Sequence, residues 1–102
     1  MNAEKTVFDA GQKADLLAFT VAQATAKQVF EAGQKADKLA FQLTDPTDTQ
    51  LKAFTVAQEA AKRVFTAAQA AAKLAFTTDQ KADKLAFTLQ QTIDKAQCNT
   101  LQ

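Results

Sequence analysis

The sequence predicts an all-α chain: two long helices folded back on one another as an antiparallel hairpin. Three observations carry that expectation. Glycine occurs twice and proline once in 102 residues, and alanine is abundant, which is the composition of long helices. The eight phenylalanines, Phe8, Phe19, Phe30, Phe41, Phe54, Phe65, Phe76 and Phe87, recur every eleven residues except for one gap of thirteen between Phe41 and Phe54. That gap contains the only proline, Pro46.

The first helix is expected over about 3–43, interrupted by nothing stronger than Gly11 and Gly33. Each glycine costs roughly 1 kcal/mol relative to alanine in a helix interior. Both stand where other repeats carry Ala22, Ala57 and Ala68, so a small residue at one phase points to another helix backbone passing close by. The turn is expected over 44–48, around Asp45, Pro46 and Thr47. The proline ring disfavours helical geometry at the preceding residue. Thr47 with Gln50 reads as a capping box, and Asp45 with Pro46 at the first helical position offers a second start. The second helix is expected over about 49–97, free of glycine and proline.

Residue numbers support a fold back at this point. Phe41 and Phe54 sum to 95, as do Phe30 with Phe65, Phe19 with Phe76, and Phe8 with Phe87. In a hairpin centred between Thr47 and Asp48 these rings lie at matching heights. A single kinked helix would instead have its apolar face rotated by about 200° across the two extra residues.

Eleven residues fill three turns, so each helix is expected to run straight or to coil gently to the right. The octapeptide Gln34 to Phe41 returns letter for letter as Gln80 to Phe87. Such copies fit a designed or consensus-built chain, while the stray Cys98 and the glycines inside the first helix lean towards a natural, recently duplicated one. Counting from Phe, a glutamine column (Gln12, Gln23, Gln34, Gln58, Gln69, Gln80, Gln91) and a column of lysines beginning with Leu16 read as the solvated face, with stacked amides between assembled copies as the alternative for the glutamines. Opposite lie small apolar columns that include Val21, Val29, Val56, Val64, Leu89 and Ile93, flanked by Leu17, Leu39, Leu74 and Leu85. An alanine-lined seam is expected there, with the Phe column along its edge. The apolar arc spans on the order of 200°, against roughly 100° for an ordinary surface helix. Two helices alone do not cover two such arcs, and a second copy forming a four-helix bundle is the simplest remedy. Asp9 with Lys13, Glu31 with Lys35, and Glu59 with Arg63 are expected to pair across one turn.

Composition also excludes function classes. Twelve Lys and Arg against eleven Asp and Glu leave a net charge of +1, so the basic face of a nucleic-acid binder is missing. No histidine is present, and Cys98 is the only cysteine, which removes the usual zinc spacings and Cys–His nucleophiles. Catalytic, cofactor and metal sites are therefore expected to be absent. Asp79 and Asp83, one turn apart, read as part of a solvated charged face shared with Lys81 and Lys84. Cys98, one period beyond Phe87, reads as a small residue at a fraying end, with an intermolecular disulfide as the alternative. No stretch reads as a transmembrane span or a signal peptide, and a cytoplasmic location is the default expectation.

Three functions fit the pattern. The first is a non-enzymatic structural module whose partner is itself, as a homodimer or larger homo-oligomer. The second follows from a resemblance. Eleven-residue helical repeats resemble those of apolipoproteins, perilipins and synucleins, and Thr66-Ala67-Ala68-Gln69-Ala70-Ala71-Ala72-Lys73 is similar to the repeats of late-embryogenesis-abundant proteins. The resemblance implies an amphipathic helix binding lipid or another hydrophobic surface. This chain departs from those families in carrying less charge and far more regular phenylalanine. The third is ice binding, since Thr20, Thr55, Thr66, Thr77 and Thr88 follow Phe at the repeat period, and alanine-rich helical antifreezes resemble this spacing.

Overall fold

The computed structural model describes residues 2–101 and contains two helices, α1 (Asn2–Gln42) and α2 (Asp48–Leu101), with no strand among the described residues. Neither Gly11 nor Gly33 breaks α1. A long run of good helix formers on both sides of each glycine outweighs its cost of about 1 kcal/mol.

The connection shows how local chemistry ends one helix and starts the next. At the end of α1 the Leu43 amide still donates to Leu39 O at 3.2 Å, after which the chain tightens, Thr44 donating to Phe41 O at 3.0 Å and Asp45 to Gln42 O at 3.3 Å. The Thr44 hydroxyl also donates to Phe41 O at 2.6 Å, so the last carbonyls of the helix are used. Asp45 adopts φ 55°, a left-handed conformation that short polar side chains tolerate better than branched ones. Pro46 follows, and Thr47 caps α2. Its amide donates to Gln50 Oε1 at 2.9 Å, and its hydroxyl accepts from the Gln50 amide at 3.2 Å. This is the reciprocal box in which two otherwise orphaned amides are satisfied. The helix starts from Thr47, not from Asp45 with Pro46.

The chain divides into two compact units. One is Phe19–Ala71, which contains the turn; the other joins the segment ending at Ala18 to the segment beginning at Ala72. Within each unit the two segments run antiparallel, because contacts pair rising numbers on α1 with falling numbers on α2. Gln23 meets Gln69 and Gln34 meets Gln58 in the first unit, while Gln12 meets Gln80 in the second. Beyond the repeat, α2 continues to Leu101. The Thr92 and Thr100 hydroxyls donate to carbonyls one turn back, Thr88 O at 3.0 Å and Ala96 O at 2.9 Å, so polar residues there remain compatible with helix.

Candidate functional site

Two surfaces stand out on each helix, and they differ from the expected arrangement. The seam between the helices is made of phenylalanine and glutamine. Phe8 stacks on Phe87 with ring centroids 4.2 Å apart and planes 5° apart. Phe30 stacks on Phe65 at 4.3 Å and 3°, and Phe41 on Phe54 at 4.3 Å and 9°. Phe19 and Phe76, the remaining two of the column, are half-buried like the others. Parallel rings at this separation form compact, apolar rungs.

Between these rungs lie pairs of glutamines. The Gln34 amide donates to Gln58 O at 2.8 Å, and the Gln58 amide returns a bond to Gln34 O at 2.9 Å. Gln23 and Gln69 exchange bonds of 3.0 and 2.9 Å, and Gln12 and Gln80 two of 2.8 Å. Each helical carbonyl keeps a lone pair after accepting from its own helix, and the glutamine fills it from across the seam. Every member of the glutamine column is half-buried.

The spacing makes this alternation regular. Glutamine follows phenylalanine by four residues and precedes the next by seven. In the antiparallel partner the order reverses, so four on one helix faces seven on the other. The mean step is 5.5 residues, or about 8 Å at 1.5 Å per residue. Aromatic and amide rungs therefore follow one another evenly within each unit.

This corrects two expectations. The glutamine column is not the solvated face, and the small apolar columns are not the seam between α1 and α2. The amide is long enough to reach the neighbouring backbone, which converts a polar column into a satisfied internal one. The signal was present in the chain. Within the helical repeats only the Phe and Gln columns recur without exception, whereas the column after Phe admits Asp9, Thr20, Glu31 and Gln42. A solvated position tolerates such variety, and a paired one does not.

The second surface is the apolar one. No residue is buried among those described. Val29 and Val64 are 68% and 70% exposed, and Leu39 and Leu85 are 60% and 72% exposed. Leu17, Leu74, Val21, Val56, Leu89 and Ile93 are exposed as well. These side chains thus take no part in the seam. The glycine column borders them, and a Cβ placed on Gly11 or Gly33 meets nothing within 4 Å. Among the described residues, no backbone from elsewhere in the chain lies within that distance.

Polar flanks run beside the seam on the other side. Lys38, Thr55, Glu59 and Lys62 line one groove together, and Lys5, Asp9, Lys84 and Thr88 another. The threonine column accordingly sits among charged side chains, not on a flat apolar surface. Glu59 lies 3.9 Å from Arg63, but Glu31 reaches back to Lys27 at 4.0 Å instead of forward to Lys35. Asp79 and Asp83 are both exposed, as is Cys98. Asp45 and Thr47 are exposed in the turn, and Pro46 is half-buried.

No family model, curated protein or solved structure matches this chain. No helix among the described residues is long and apolar enough to cross a membrane. The functional reading therefore rests on the two surfaces.

Proposed function

We propose that the chain is a non-enzymatic self-assembly module, a hendecad helix pair that associates with further copies of itself through its outward Ala, Val and Leu columns. The absence of any buried residue among those described carries this reading. Stacked Phe and paired Gln hold two helices together, but they leave the broad apolar arcs in water. The accessible surface of the chain is 8253 Å². A compact monomer of this mass exposes about 5,600 Å², so the excess is about 2,600 Å². A standard interface buries about 800 Å² on each partner, well within that excess. A second copy applied to these columns makes a four-helix bundle of the kind that hides an apolar stripe on every helix. Closure as a dimer is one solution, and a face that does not close on itself would give a filament.

Light scattering behind a sizing column, without lipid, tests the proposal. A mass of two chains or a larger defined multiple is expected, with helicity falling on dilution. A stably helical monomer at micromolar concentration overturns it. If that monomer then binds phospholipid vesicles, the apolar columns serve a lipid surface instead.

A further inference from the structure

The rungs have a symmetry that the turn conceals. Between α1 and α2 the paired Phe numbers sum to 95 and the paired Gln numbers to 92, a difference of three. The same difference arises when α1 is set antiparallel to a second α1. Phe8 then faces Phe41 and Phe19 faces Phe30, each pair summing to 49, while Gln12 faces Gln34 and Gln23 faces its own copy, summing to 46. For two copies of α2 the sums are 141, for Phe54 with Phe87 and Phe65 with Phe76, and 138, for Gln58 with Gln80 and Gln69 with itself. Every pairing reproduces the alternation of aromatic and amide rungs.

The glutamine bonds of the seam do not themselves select a partner. The amides donate to backbone carbonyls, which every helix offers. The ion pairs Lys27–Glu31 and Glu59–Arg63 each lie within one helix, so neither of them bridges the seam in the way that charge pairs set partner choice in other paired helices. We infer that the Phe–Gln seam is a homotypic recognition surface, able to take either helix of a second copy of this chain in the rungs it makes here, and that the short turn alone selects the intramolecular pairing. The turn acts through effective concentration, holding α2 beside α1 ahead of any competitor. This surface is separate from the outward Val and Leu columns, so either assembly can fail while the other stands.

The turn also holds the two residues by which the Phe41–Phe54 gap exceeds the repeat. Deleting Asp45 and Pro46 from the full chain restores an eleven-residue spacing throughout and removes the helix breaker. The variant is expected to form one continuous helix that pairs antiparallel with a second copy. Its mass by light scattering should be twice that of the wild type under the same conditions, with undiminished helicity. A folded variant that keeps the wild-type mass overturns the inference.

A measurement on the wild-type chain decides the matter even if the variant does not fold. Equal amounts of ¹⁴N- and ¹⁵N-labelled chain are unfolded together, refolded at roughly the millimolar concentration that a short linker itself sets, and cross-linked through lysine. Lys38 and Lys62 line one groove beside the Gln34–Gln58 rung, so a Lys38–Lys62 cross-link reports that rung. Mixed-isotope cross-links beside the pure ones are expected. If all Lys38–Lys62 cross-links are isotopically pure, the seam is not shared between copies.

Discussion

A glutamine in this seam does something unusual for a polar side chain between two helices: it ignores the other glutamine's amide and bonds the backbone. Gln34 and Gln58 each donate to the other's carbonyl, at 2.8 and 2.9 Å. Truncating one leaves the acceptor of the other intact, so no amide is orphaned. Gln34→Ala is therefore expected to cost about 1 kcal/mol, the net worth of one hydrogen bond. The double variant Gln34→Ala with Gln58→Ala should cost close to the sum, with a coupling below about 0.5 kcal/mol. Urea denaturation of the four proteins of this cycle measures it. A coupling well above that bound would mean that the two side chains bond each other and not the backbone. The phenylalanines are legible as one line from the sequence alone, because their period can be counted. The role of glutamine is harder to read, because a polar residue beside a lysine column looks solvated until its reach to the opposite carbonyl is known.

At the scale of the element, the turn concentrates the information that makes two helices out of one repeat. Thr47 and Gln50 satisfy each other's amides, and Asp45 takes the left-handed conformation that lets the chain leave α1. The turn and its cap are legible in outline, since Pro46 and a Thr-x-x-Gln pattern are local signals that need no tertiary contact. Thr47→Ala removes the oxygen that accepts from the Gln50 amide and is expected to destabilise the chain by about 1 kcal/mol. Thr47→Ser should restore most of the loss, because it keeps that oxygen. Thermal unfolding followed by circular dichroism compares the three proteins at one concentration. Equal stability for the alanine and wild-type chains would mean that the Asp45–Pro46 start is used in solution. The exposed pairs on the helices contribute far less: Glu59–Arg63 at 3.9 Å is worth about 0.3–0.5 kcal/mol at most.

For the whole molecule, the open question posed by the sequence is which surface a helix backbone approaches at the glycine column. Gly11 and Gly33 have no neighbour within 4 Å of an added Cβ, so the chain alone gives no reason for glycine there. The small apolar columns are legible as surfaces in need of cover. Their partner is not, because a periodic stripe does not say whether its complement lies on the same chain or another. Gly33→Ala separates the two cases. In the isolated chain it should stabilise α1 by about 1 kcal/mol, through helix propensity and a more restricted unfolded state. In an assembly that brings a second copy against this column, the added methyl holds the backbones apart and weakens association. The expected outcome is a chain more resistant to urea when dilute, with its monomer–oligomer midpoint moved to higher concentration. Sedimentation equilibrium alongside dilute urea titration reads both effects on one variant. A more stable chain with an unmoved midpoint would restrict the interface to the Val and Leu columns, and glycine would then be a cost that the assembly does not recover.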